Sequence, residues 1–221
     1  MHVECFYFNP FRECTYLLSD DNGNTIVIDC GCSNNREQQR ITQYIDTYSL
    51  TIRYHLLTHA HIDHVWGAEF IYRQYGVRPL LSQKDDWLFQ NISLQAQMFG
   101  LAATLDTPIE YTPIESKATL NGEGDYELLF LNELSCPITA IPTPGHTEGG
   151  VCYYFPNENI LFSGDTLFEN GIGRTDLMGG NYGTLLKSLN KIKLLPDDTI
   201  VYPGHGYQTT IGHEKQFNPY L

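Results

Sequence analysis

The chain is short of positive charge. Lys and Arg together number 13 against 26 Asp and Glu, which gives a net charge of -13 over 221 residues. That balance argues against nucleic acid and anionic membrane as partners. It also disfavours an anionic substrate, unless a bound dication supplies local positive charge. Long apolar runs are missing too. No stretch approaches the length that spans a bilayer. Residues 1–9 carry no basic segment followed by an apolar run, so a secretory leader is not expected. Cysteine spacing suited to zinc is absent. Cys30-Gly31-Cys32 is the one close pair, and Cys5, Cys14, Cys136 and Cys152 are scattered among apolar neighbours. All six are expected to be reduced, mostly buried small residues of a cytoplasmic protein. Repeats and low-complexity linkers do not occur.

What remains is a chain built to fold. Hydrophobic residues make up 42%, enough for a packed fold rather than disorder. The length allows one sizeable core or two small ones. Residues 3–8, 13–18 and 25–29 are β-branched or aromatic runs. They are separated by Asn9-Pro10 and by Asp20-Asp21-Asn22-Gly23, a hairpin signal. Residues 35–48 read as a helix capped by Ser33 and Asn34, with Ile41, Tyr44, Ile45 and Tyr48 on one face. A strand over 52–57, a helix over 65–75 stopped by Gly76 and a short strand over 79–81 follow. Residues 83–100 form a less regular helical piece. Its Trp87, Phe89, Met98 and Phe99 are expected in the core, with the wall of a pocket as the alternative. Strands are then expected over 111–114, 118–120, 126–131, 138–142, 151–155 and 160–163. A helix over 182–194 and a strand over 199–202 end the pattern. Two β-rich halves, each with helices, predict an α/β architecture of two sheets face to face with helices outside.

The chemistry concentrates in Thr58-His59-Ala60-His61-Ile62-Asp63-His64, where four metal-ligand side chains fall within six residues at the end of an apolar strand. Buried without partners, such groups would be costly. Three further sites repeat the arrangement of strand, glycine turn and ligand-type residue. They are Pro144-Gly145-His146-Thr147, Ser163-Gly164-Asp165-Thr166 and Pro203-Gly204-His205-Gly206. Any one alone reads as a turn with a polar tip. Together they place five His and two Asp just past strand ends. Nitrogen and carboxylate donors without cysteine suit zinc, iron or manganese. Seven are too many for one open tetrahedral site and suit two ions sharing a carboxylate. His2, His55 and His213 lack this setting and are expected to be structural.

These four motifs, in this order, resemble the metallo-β-lactamase superfamily. Phe162-Ser163-Gly164-Asp165-Thr166-Leu167-Phe168, Gly173-Arg174-Thr175-Asp176 and Asn218-Pro219-Tyr220-Leu221 are similar more closely to the glyoxalase II group, the hydroxyacylglutathione hydrolases, in its short form. The resemblance implies a four-layer αββα sandwich formed by a single domain over residues 1–221. It also implies that the C-terminal helical region that grips glutathione in longer members is missing. It assigns His59, His61 and His146 to one ion and Asp63, His64 and His205 to a second, with Asp165 bridging. Two divalent ions follow, zinc first, with iron or manganese as the other candidates. The implied reaction is thioester hydrolysis of a small molecule of the S-acylglutathione type by a metal-bound bridging hydroxide. Asp63 and Asp165 would orient that hydroxide, and a thiolate would leave without a strong general acid. Arg174 is the candidate for meeting a substrate carboxylate, against a structural ion pair with Asp176; Tyr182 and Lys84 are weaker candidates. The alternative reaction class is that of the persulfide dioxygenases, which the chain also resembles. They hold one iron through the positions of His59, His146 and Asp165. A third possibility is an idle metal-binding module. Oligomeric state is not legible.

Overall fold

The computed structural model describes residues 1–101, 110–120, 124–128 and 136–221. They fall into two compact units, residues 1–81 with 85–113 and residues 82–84 with 114–221.

The first unit opens with strands β1 (His2–Phe8), β2 (Glu13–Ser19) and β3 (Asn24–Ile28). Consecutive strands pair antiparallel. The second turn closes at Gly23, whose φ of 81° suits a residue without a Cβ. Helix α1 (Asn35–Thr47) follows. The Asn34 side chain accepts from the Arg36 and Glu37 amides, and the Glu37 carboxylate reaches back to the Ser33 amide and hydroxyl. That reciprocal cap satisfies donors that a helix start leaves open. Ile41 and Ile45 are buried beside Phe6, Phe8 and Leu17. Tyr48 does not join them. The helix ends one residue before it, and Tyr48 is exposed.

Strand β4 (Thr51–Leu56) runs parallel to β3, with Leu56 opposite Ile28. The helix expected over 65–75 starts earlier and is broken. It comprises α2 (Ile62–Val65) and α3 (Ala68–Tyr75), split at Trp66-Gly67. A Cβ on Gly67 would meet the Cys32 and Cys30 thiols at 2.4 and 2.6 Å, so only glycine fits there. Strand β5 (Pro79–Leu81) and helices α4 (Asp86–Gln90) and α5 (Ile92–Met98) come next, then β6 (Thr112–Pro113). Strands β1 to β6 form one mixed sheet in chain order. The core expectation for 83–100 is corrected in part. Phe89 is buried with Leu88, Ile92 and Ala96, but Trp87, Met98 and Phe99 are exposed. Two short helices present one narrow apolar stripe each, and these three side chains fall outside it.

The second unit contains β7 (Ala118–Leu120), β8 (Tyr126–Leu128), β9 (Thr139–Pro142), β10 (Val151–Phe155) and β11 (Ile160–Gly164). The small hairpin β12 (Leu167–Phe168) and β13 (Gly171–Ile172) follows, then α6 (Tyr182–Ile192), β14 (Ile200–Pro203), β15 (Thr209–Thr210) and α7 (Ile211–Phe217). The sheet order is β15-β14-β11-β10-β9-β8-β7. Its core gathers Ile141, Leu161, Leu189, Ile192, Val201 and Ile211. The hairpin, β15 and α7 are absent from the sequence reading. Two-residue strands carry too little periodicity to be seen, and α7 lies in a stretch whose charged residues mask its buried positions. The expected strand over 126–131 is described as far as Leu128, and its residues 129–131 lie outside the described residues. None of the six cysteines is in a disulfide, and five of them are buried.

Candidate metal centre

In the first unit the parallel pairing of β3 and β4 brings two strand ends to one edge. Asp29 leaves β3 there and Thr58-His59 leaves β4. The Asp29 carboxylate then organises the histidines. It accepts from the Thr58 amide and hydroxyl at 2.7 Å each and from His64 Nδ1 at 2.8 Å. A carboxylate only accepts here, so His64 carries its proton on Nδ1 and turns the Nε2 lone pair outward. The Thr58 hydroxyl gives its proton to Asp29, so it accepts from His59 Nδ1 at 3.0 Å. His59 therefore presents Nε2 in the same way.

The rings of His59 and His61 lie 4.8 Å apart and those of His59 and His64 4.1 Å apart. Asp63 Oδ2 is 3.8 Å from His64 Nε2. The loop between them is clamped. Asp85 accepts from the Ala60 amide, and Gln95 accepts from the Ile62 amide while donating to the Ala60 and Leu88 carbonyls. Asn9 Nδ2 donates to the Asp63 and Gly31 carbonyls at 2.9 and 3.0 Å. Glu13, Asp29 and His64 also approach within 4.8 Å. Burial, with Asp29 adding to it, pushes the Glu13 carboxyl well above the usual carboxylate range. A group that resists ionisation makes a poor ligand.

In the second unit β9 and β11 both run antiparallel to β10, and β14 runs parallel to β11. Three strands therefore end on one edge and deliver His146, Asp165 and His205. Asp165 Oδ2 stands 3.4 Å from His146 Nε2 and 3.6 Å from His205 Nε2. Two donors each about 2.1 Å from a zinc ion at a tetrahedral angle stand about 3.4 Å apart. The residues of this unit thus fit cation binding by spacing as well as by chemistry. His146 Nδ1 donates to the Arg174 carbonyl at 2.7 Å, which again leaves Nε2 as the donor to a metal. The His146 turn is held against α6. A Cβ on Gly145 would lie 2.3 Å from the Leu185 amide nitrogen, and the Gly145 carbonyl accepts from the Asn181 amide.

Arg174 is exposed, and its guanidinium makes a bidentate pair with Asp176 at 2.7 Å on both arms. That pair holds the Asp176 carboxyl down to about 2. Lys84 and Tyr182 are exposed. His55 is fully buried in β4, and His213 packs on Phe217, in keeping with structural roles. Asp29, Asp85, Gln95 and Asn9 were not legible as site residues. Only Asp29, an acid at a strand end, carried a signal.

The family profile described as Metallo-beta-lactamase superfamily matches residues 10–205. The chain belongs to the metallo-beta-lactamase superfamily. Its α/β fold of mixed sheets and helices is that of the superfamily. Hydroxyacylglutathione hydrolase GloC of Haemophilus influenzae is 38% identical over 224 residues, spanning 100% of this chain and 98% of that protein. The crystal structure of the BLEG-1 B3 metallo-beta-lactamase matches with a TM-score of 0.84 and 31% identity, covering 100% of this chain and 99% of that one. TTHA1623, crystallised in a di-iron-bound form, matches with a TM-score of 0.82 and 32% identity, covering 99% and 100%. The chain is accordingly a metal-dependent hydrolase of the metallo-beta-lactamase superfamily. Among the described residues, no helix is long and apolar enough to cross a membrane.

Proposed function

We propose that this chain hydrolyses thioesters of the S-acylglutathione type at a two-metal centre. The observation that supports the two-metal reading is that a single oxygen of Asp165 lies near Nε2 of both His146 and His205, which the reading assigns to different ions. His59, His61 and His146 would hold one ion, Asp63, His64 and His205 the other, and Asp165 would bridge. The similarity to hydroxyacylglutathione hydrolase GloC over the whole chain supports the substrate class. Zinc is the proposed metal and the cytoplasm the proposed compartment.

When bound, the ions would lower the pKa of a water and stabilise negative charge on a carbonyl oxygen. The chain's own residues supply orientation. Asp63 and Asp165 would accept hydrogen bonds from the water's O–H groups and aim its lone pair at the thioester carbon, and the proton the water loses would pass to solvent. The neighbours of His59, His64 and His146 lock each ring, so no reorganisation is needed as charge develops. The departing thiolate is a stable anion, which removes the need for a strong general acid. Arg174 would meet a substrate carboxylate by exchanging Asp176 for it.

The test is elemental analysis of the purified protein beside an assay on S-lactoylglutathione. Replacement of His59 or Asp165 by Ala is expected to remove metal and turnover together. Undiminished hydrolysis by metal-stripped protein would refute the proposal. Oxygen uptake with glutathione persulfide, without thioester hydrolysis, would move the chain to the dioxygenase class.

A further inference from the structure

We propose that helix α7 acts as a positioning device for His146, through Asn218 and Glu214. The inference rests on the metal-site reading only for what His146 does. His146 Nδ1 can donate to the Arg174 carbonyl only while that carbonyl stays in place. Its position is set by the β12–β13 hairpin that ends just before it. Gly173 joins the two and is pressed against the ligand loop: a Cβ there would fall 1.8 Å from the Asp165 carbonyl oxygen and 3.2 Å from His146 Nδ1.

The hairpin is in turn clasped from α7. Glu214 is fully buried, and its Oε2 accepts from the Asn170 amide in the hairpin turn at 2.9 Å. The same oxygen accepts from Asn218 Nδ2 at 2.7 Å. Asn218 Nδ2 also donates to the Gly171 carbonyl at 3.0 Å. One carboxylate and one amide therefore tie Asn170 of the two-residue turn, at φ 55°, and Gly171 after it to α7. A two-stranded ribbon of this size has no stability of its own. Leu167 anchors its first strand in the core, with Ser163 Oγ donating to the Leu167 carbonyl at 2.8 Å, and the clasp holds its turn. On its other side Glu214 Oε1 accepts from the Thr209 hydroxyl at 2.6 Å, a bond that leads away from the hairpin.

This arrangement separates positioning from stability. Asn218→Ala removes the amide half of the clasp and leaves the Glu214–Asn170 bond, and Asn218→Ser is its milder form. Thr209→Val weakens the same buried carboxylate without touching the hairpin. Glu214→Gln retains the clasp, because its amide oxygen can face Asn170 and Asn218 while its amine faces Thr209. The readout is the ring nitrogen resonances of His146 in the metal-free full-length chain, identified with His146→Gln. The wild type, Glu214→Gln and Thr209→Val are expected to hold the proton on Nδ1, and the Asn218 variants to mix in the Nε2–H form. Zinc affinity, measured by titration with the ion alone, is expected to fall about tenfold in the Asn218 variants, the lower end for a lost outer-shell partner. A wild-type ring signature in both Asn218 variants would overturn the proposal. Equal mixing in Thr209→Val at the same loss of thermal midpoint would overturn it too, because α7 would then act through stability alone. If the wild type binds no zinc, the functional proposal fails, while the ring signatures still decide this one.

Discussion

At the scale of the residue, the side chains proposed as metal ligands are held by groups that carry no motif. Asp29 illustrates the cost of such a site. Its carboxylate is buried and satisfied by three donors, so its removal strands a threonine and a histidine at once. Gly31 shows how little space remains. A Cβ there would meet the Asp63 carbonyl and Glu13 Oε2 at 2.3 Å and Asn9 Nδ2 at 2.4 Å. Gly31→Ala is expected to cost about 1–3 kcal/mol by overpacking. It should also shift Asp63 enough to lower metal content, which elemental analysis would detect. His55 sets a pH limit. Burial pushes its imidazole down to about 3, offset only in part by the Asp29 backbone. The unfolded chain takes up that proton at about pH 6.5. The neutral ring's contribution is therefore intact above that value and declines as pH falls toward 3, by about 1.4 kcal/mol per unit. Denaturant titrations at pH 7 and pH 5 should show the decline, and His55→Leu should flatten it.

At the scale of the element, strand direction does most of the positioning. In each unit, parallel or doubly antiparallel neighbours bring chain-distant residues to one sheet edge. That edge is where open α/β sheets hold their chemistry. The sequence pattern located the long strands and the strand-end polar residues well, because each is a local contrast of apolar run and glycine turn. It missed the break between α2 and α3, because Gly67 is there for two thiols distant in sequence. Short caps are decisive in such small elements. Asn34→Ala is expected to destabilise by about 1 kcal/mol, lowering the thermal midpoint without changing metal content. Gln95→Leu should behave differently. It strands the Ala60 and Ile62 backbone groups, a loss of about 1–3 kcal/mol, and it should loosen zinc binding as well.

At the scale of the whole molecule, a net charge of -13 makes resident cations the natural source of positive potential for the proposed thioester substrate bearing carboxylates. Ions that bind only the folded chain also stabilise it. Chelation is expected to lower the thermal midpoint, and zinc to restore it, with about 4 kcal/mol at a thousandfold excess over the dissociation constant. A midpoint indifferent to chelator would count against a resident metal. The amino-acid sequence by itself determined the ligand types, their order and their placement after strand ends, since these depend on local chemistry and short-range pattern. It also determined the superfamily, because four spaced motifs survive without knowledge of any contact. Tertiary structure decided which nitrogen His59, His64 and His146 offer. That choice belongs to Asp29, Thr58 and the Arg174 carbonyl. For His64 and His146 the partner is remote in sequence and reaches the ring only through strand pairing and the clasp of the final helix.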